Sequence, residues 1–264
     1  MRLHAKYLRK NDGEFAMEFS RSEKLKELIS KENNHLIKII TGIRRCGKSY
    51  LLNHIFKRYL LEKGIKEDHI IEFAFDFGDD IDRLDRYFPE EETRVHVKGT
   101  KNDYNIHAKK FRAYIKELTA AGGQYYLLLD EVQKLGAFES VLNGFLRRSN
   151  MDVYVTGSNS KFLSKDILTE FEGRGDEVHI FPLSFSEYYA FKQGDKGETY
   201  DEYSVYGGLP AVAFMTTEEQ KTNYLISQMK NVYLRDIVLR YSVQDEVALS
   251  EVISLSSKRP LKDL

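Results

Sequence analysis

Gly42-Ile43-Arg44-Arg45-Cys46-Gly47-Lys48-Ser49 matches the pattern G-x-x-x-x-G-K-[ST] at every fixed position. The flanks fit the mechanism of such a loop. Before it, Leu36-Ile37-Lys38-Ile39-Ile40-Thr41 is too uniformly apolar for a half-exposed strand and reads as the buried centre of a parallel sheet. After it, Leu51, Leu52, Ile55, Phe56, Tyr59 and Leu60 recur at helical spacing from Lys48 to Lys63, and Gly64 supplies the stop. A glycine-rich loop between a buried strand and a helix N-terminus turns its backbone N–H groups toward phosphates. Gly42, Ile43, Arg44, Arg45, Cys46, Gly47, Lys48, Ser49 and the following Tyr50 are therefore the expected phosphate-binding segment. Lys48 would reach the β- and γ-phosphates and Ser49 would bind Mg²⁺. Cys46 inside the loop reads as a small filler in preference to a reactive thiol.

Outward from this unit the alternation continues. Ser22 to Lys31 has helical spacing. Strands are expected at Ile70–Phe75, Tyr125–Leu129, Asp152–Thr156 and Glu177–Phe181, with helices at Ala108–Thr119 and Phe138–Leu146. Strands separated by helical crossovers mean an α/β fold with a parallel sheet. Asp79 to Glu92 holds seven acids in fourteen residues, and the stretch from there to Asn105 reads as a hydrated surface insertion or a lid. Gly194 and Gly197 mark a linker, so residues 1–193 form the expected core and residues 194–264 a second, helical region. There Glu219 to Tyr241 reads as a long helix with Ile226, Met229, Tyr233 and Ile237 on one apolar face.

A phosphate loop needs a partner that holds magnesium and places water. Tyr125-Tyr126-Leu127-Leu128-Leu129-Asp130-Glu131 is an apolar strand ending in two acids. Asp130 at its tip would bind Mg²⁺, and Glu131 would act as general base toward an attacking water. Transfer to a bound acceptor does not require that second carboxylate, so the pair favours hydrolysis over small-molecule phosphotransfer. The next strand runs into Thr156-Gly157-Ser158-Asn159, which makes Ser158 and Asn159 candidates for sensing the γ-phosphate at the sheet's carboxyl edge. Arg174, between Gly173 and Gly175, could stabilise charge on the transferring phosphoryl group, in cis or from a neighbouring subunit. A serine-hydrolase reading fails because G-x-S-x-G is absent around Ser158.

Composition narrows the class. The 264 residues are 42% hydrophobic and 31% charged, ordinary values for a globular protein. Forty Lys+Arg against 41 Asp+Glu leave a net charge of −1, so a nucleic-acid or membrane partner would need a local patch. A single cysteine and scattered histidines argue against internal disulfides and structural zinc, and point to a reducing, cytoplasmic setting. No signal-peptide pattern or membrane-length apolar run is present, so no membrane association is expected.

Together, Thr41 to Ser49, Leu129-Asp130-Glu131-Val132-Gln133, Thr156-Gly157-Ser158-Asn159, Gly173-Arg174 and Phe181-Pro182-Leu183-Ser184-Phe185-Ser186-Glu187-Tyr188 resemble the prokaryotic AAA+-type ATPases that carry a C-terminal domain of unknown function. The resemblance implies an ASCE-type P-loop core with an extra strand between the Walker A and Walker B strands, and ATP with Mg²⁺ as ligand. It gives Lys48, Ser49, Asp130 and Glu131 the roles above and sets Arg174 in the family's Gly-Arg position, although Gly175-Asp176 follows where an aromatic residue is usual. Such proteins continue into a winged-helix-like segment and a nuclease-fold-like domain, so the chain is expected to be a truncated or shortened member. The Gly207-Gly208-Leu209-Pro210 turn and the Tyr233–Ile237 segment match the junction. The expected function is Mg-dependent ATP binding and hydrolysis coupled to movement of an attached domain or macromolecular partner. The alternative is a low-turnover ATP-dependent switch or DNA-associated regulatory module. Expected partners are ATP, a DNA or protein bound through the missing region, and further copies of the chain.

Overall fold

The computed structural model describes residues 19–97, 104–157, 171 and 173–229, and in short pieces 8, 9, 15, 16, 238, 243, 245, 247–249, 251 and 252. Five strands form one parallel sheet: β1 (Ile37–Thr41), β2 (Ile70–Ala74), β3 (Tyr125–Asp130), β4 (Met151–Thr156) and β5 (Gly175–His179). Their order is β2-β3-β4-β1-β5, every pairing is parallel, and β4 lies between β1 and β3. The expected extra strand between the two motif-bearing strands is therefore present. The fold is the α/β P-loop core of AAA+ type, followed by helices.

The central strands β1, β3 and β4 are buried along their whole length because both sheet faces are covered there, whereas the edge strand β5 is partly open. Side chains alternate between faces. Ile37, Ile39, Leu127, Leu129, Val153 and Val155 pack with Phe111 and Ile115 of α4 (Ala108–Leu118) and with Val141, Leu142 and Phe145 of α5 (Phe138–Leu146). Ile40, Leu128, Tyr154 and Val178 face the other way, onto Leu28 of α1 (Ser22–Ser30) and Leu51, Leu52, Ile55, Phe56 and Leu60 of α2. Helix α2 is continuous through Lys48–Tyr50, a π-type stretch Leu51–Phe56 and Lys57–Glu62. Away from the phosphate loop, Lys38 is fully buried yet satisfied. Its ammonium pairs with Asp152, which also accepts from Tyr154 Oη at 2.8 Å and from the Asn33 amide at 3.0 Å. Such a network costs little only when every member is paired.

The acidic segment is more than a hydrated excursion. It begins with α3 (Gly78–Asp82), and Ile81 and Leu84 are fully buried in the main core. Asp80 Oδ2 accepts the Ala74 amide at 2.8 Å and Asp85 Oδ1 accepts the Thr93 hydroxyl at 2.5 Å. The two apolar anchors are too few for a periodicity signal amid so many charges. A short antiparallel ribbon, Arg94–His96 with Tyr104–Ile106, completes the insertion.

Beyond the sheet lie α6 (Phe185–Lys192), α7 (Lys196–Tyr206), α8 (Pro210–Phe214) and α9 (Glu218–Gln228). The expected glycine linker is a helix entry. Asp195 caps α7 by accepting from the Gly197 and Glu198 amides, so Gly197 sits in the first turn. Phe19, Leu183, Tyr188, Phe191 and Ala213 form a third core cluster. The long helix expected to Tyr241 is described through α9, and Tyr233 and Ile237 lie outside the described residues. Of its expected apolar face, Ile226 is 47% exposed and Met229 36%, while Lys221 and Gln228 are buried.

Glu202 of α7 ties these helices together, accepting from Tyr188 Oη at 2.6 Å, Lys221 Nζ at 2.6 Å and Lys192 Nζ at 3.0 Å. Burial opposes its charge, but these donors outweigh it and hold the carboxyl at about 2, below its ordinary 4.5. A carboxyl lowered by folding stabilises fully above its unfolded value and loses that contribution as pH falls toward its folded one. Thermal unfolding followed from pH 5 to pH 2.5 should lose roughly 1–3 kcal/mol through this group, and Glu202→Gln should flatten that part of the slope. An unchanged slope would remove Glu202 as the node.

Candidate functional site

The phosphate loop leaves β1 at Gly42, whose φ is +140° and where a Cβ would stand 2.2 Å from the Ile180 carbonyl. Only glycine fits there. Arg45 (φ 64°) and Gly47 (φ +99°) also take left-handed backbone, and Gly47 caps α2. Lys48 follows in the first helical turn, buried, with Nζ donating to the carbonyls of Gly42 at 2.9 Å and Ile43 at 3.0 Å. Burial pulls its ammonium pKa down, against the attraction of Glu131 and Asp130. Cys46 is fully buried and burial raises its thiol, the behaviour of a packing residue.

Asp130 ends β3 almost wholly buried, and the Ser49 side chain is hydrogen-bonded to it. Burial pushes its carboxyl up, while the bonds from Thr156 and Ser49 counter that. A hydroxyl and a carboxylate brought together at the loop are the hard oxygen donors that Mg²⁺ takes, so the residues present fit Mg²⁺ with a nucleotide. Glu131 turns into left-handed backbone (φ 53°), donates its amide to Thr156 Oγ1 at 3.3 Å, and receives a bond from the Gln133 side-chain amide. Arg44, Arg45, Gly47, Lys48, Ser49, Tyr50 and Glu131 line a cavity of about 340 Å³. The structure thus gathers Lys48, Ser49, Asp130 and Glu131 as expected.

Other expectations fare differently. Ser158 and Asn159 lie outside the described residues. Arg174 is exposed at the opposite end of the sheet: its carbonyl accepts from the amide of Ile37, the first residue of β1, at 2.8 Å, whereas the phosphate loop follows the last. A five-residue strand separates the two, roughly 15 Å. Arg174 therefore does not serve the nucleotide site of its own chain, because β1 and β5 run parallel and an arginine preceding β5 must fall at the amino edge.

Three further residues reach the site. Thr156 donates to Asp130 Oδ1 while accepting from the Glu131 amide, which orients both acids. Asp76 follows β2, and burial together with the neighbouring charges of Glu131 and Asp130 pushes its carboxyl up. Arg21, buried and left-handed (φ 41°), donates to the Cys46 carbonyl at 2.6 Å and to Glu187 at 3.3 Å. A threonine ending a strand reads as an ordinary β-former, and an arginine before a helix reads as surface. Only Glu187, in the quoted Phe181–Tyr188 segment, gave a signal for the last contact. The loop also touches the C-terminal helices: the Arg45 guanidinium lies 5.7 Å from the Tyr224 ring centroid on α9.

Residues 34–189 match the AAA_14 family model, described as an AAA domain. The chain belongs to this family. A similar sequence is an uncharacterized protein of Haemophilus influenzae, 31% identical over 240 residues that cover 89% of this chain and 54% of the relative. Protein MJ1544 of Methanocaldococcus jannaschii is 26% identical over 79% of this chain and 43% of its own length. The chain thus spans about half the length of these relatives. Among solved structures, Aeropyrum pernix Orc1 in complex with DNA aligns over 87% of this chain and 62% of its own, at 12% identity and TM-score 0.44. Pyrobaculum aerophilum Cdc6p aligns over 72% and 56%, at 12% identity and TM-score 0.43. AAA membership implies nucleotide binding, with hydrolysis as the associated activity.

Thr156→Val keeps the shape and removes the hydroxyl that orients Asp130 and Glu131. Loss of such a supporting bond should lower Mg-dependent turnover about 10–100-fold, with Thr156→Ser restoring most of it. Parent-like turnover in a folded Thr156→Val protein would show that the hydroxyl positions nothing.

Proposed function

We propose that this chain is a Mg-dependent ATPase that passes its nucleotide state to the helices following the sheet. The Glu131 side of the loop cavity, with the neighbouring Asp130 hydrogen-bonded to Ser49, supports this most strongly. Lys48 keeps its bonds to the loop carbonyls and offers its remaining N–H to phosphate oxygens, and Ser49 and Asp130 would hold the magnesium ion. That ion, when bound, supplies charge neutralisation at the phosphates. The Glu131 carboxylate accepts a proton from the attacking water. Arg45 responds to occupancy at the loop and changes its contact with Tyr224, which carries the signal into α9.

Gln133 favours a second reading. Its side-chain amide binds the Glu131 carboxylate and competes with water for it, as in a slow switch that holds ATP before releasing it. Arg174, at the far edge, fits action in trans on the site of an adjoining copy. A homo-oligomer, a cytoplasmic setting, and a DNA or protein partner engaged through the region that the longer relatives possess complete the proposal. No described helix is long and apolar enough to cross a membrane.

ATP turnover separates the readings. Glu131→Gln should retain Mg·ATP and slow hydrolysis by about 10²-fold or more. Gln133→Ala should raise turnover if the bond to Glu131 restrains it, and leave turnover unchanged if it does not. Arg174→Ala should lower turnover with little change in ATP affinity, and mixing it with Glu131→Gln protein should restore activity, because each supplies the half the other lacks. Absence of complementation would rule out action in trans.

A further inference from the structure

The opposite face of the sheet from α2 carries a groove of about 320 Å³ between α4 and α5, remote from the phosphate loop. Phe88, Ala113, Val141 and Phe145 give it an apolar floor. Its rim is cationic. Lys109, Arg112 and Lys116 fall at i, i+3 and i+7 along α4, and Arg148 joins them from the end of α5. No carboxylate lines the groove among the described residues. Arg112 and Arg148 donate to hydroxyls, of Ser140 and Thr119, each at 3.3 Å, and no carboxylate pairs with either among the described residues. Of the four rim cations, Lys109 is the one with an ion pair among the described residues, to Glu91 at 2.7 Å. In a chain of net charge −1, this is the kind of local positive patch that a charged partner requires.

Two features keep the groove open. Gly144 sits inside α5, where a glycine costs roughly 1 kcal/mol relative to alanine, and a Cβ there would meet nothing within 4 Å. Phe88 holds a left-handed backbone (φ 49°), unusual for a bulky residue, and its ring lies under the Lys109 ammonium at 3.8 Å.

From the apolar floor and cationic rim, we propose that this groove docks an acidic amphipathic helix of a protein partner. Its apolar side chains enter between α4 and α5, and its carboxylates meet Arg112, Lys116 and Arg148. Nucleic acid fits less well, since a phosphate backbone offers nothing to the apolar floor.

The test uses the full chain and a labelled 16-residue helical peptide with leucines at i and i+4 flanked by glutamates, followed by fluorescence anisotropy, with a 20-base-pair DNA duplex run alongside. Arg112→Glu combined with Lys116→Glu should weaken peptide binding at least tenfold. Gly144→Leu, which fills the groove, changes no charge and favours helix, should do the same. ATP affinity, remote from the groove, reports that each variant is folded. The proposal fails if the peptide does not bind. It fails also if Gly144→Leu binds as the parent does, which would mean charge attraction alone, or if the duplex binds more tightly than the peptide and is lost in the charge-reversed variant.

Discussion

A loop that turns its amides outward to phosphates must turn carbonyls inward, and buried carbonyls need donors. Here two cations supply them. Lys48 takes the carbonyls of Gly42 and Ile43, and Arg21 takes that of Cys46. The Arg21 guanidinium is 4% exposed, and burial lowers its pKa against the pull of Glu187, so it is held by fixed acceptors and not by water. Its second arm reaches Glu187, whose side chain also closes the capping box of α6 with Ser184. The loop, the entry to α1 and the start of the C-terminal helices therefore share one buried charge. With Gly42 pressed against the Ile180 carbonyl, this fixes where the loop sits at the end of β1.

From that fixed loop the rest of the site follows by topology. Parallel strands deliver their carboxyl ends to one edge, so Thr41, Asp130 and Thr156 converge there without long loops. The β4 strand between β1 and β3 brings Thr156 within reach of Asp130 and Glu131. Because β5 runs in the same direction, Arg174 is delivered to the far edge, away from the loop that follows β1.

Much of this was legible in the sequence. Ile37 to Thr41 and Tyr125 to Asp130 are buried on both faces, which leaves runs with no alternation, and Phe138–Leu146 shows its helical period plainly. The loop residues declare themselves through glycines that the backbone requires. What was illegible depends on distance or direction. Arg21 meets Glu187 across 166 positions, and no local pattern marks an arginine for burial. Ile81 and Leu84 are core residues submerged in a run of acids. Asp195 caps a helix where two glycines suggested a break.

The contact of Arg45 with Tyr224, and the approach of Pro210 to within 3.7 Å of the position a Cβ would take at Gly47, join the nucleotide site to the helices beyond the sheet. Coupling across such contacts requires that the two regions respond together. Amide hydrogen exchange of the Glu131→Gln protein, with and without Mg·ATP, measures this directly. Protection should change in residues 42–50 and, in parallel, in α9 around Tyr224, with the α9 change lost in Tyr224→Ala. A nucleotide-dependent change confined to residues 42–50, with α9 exchanging identically in both states, would contradict the account.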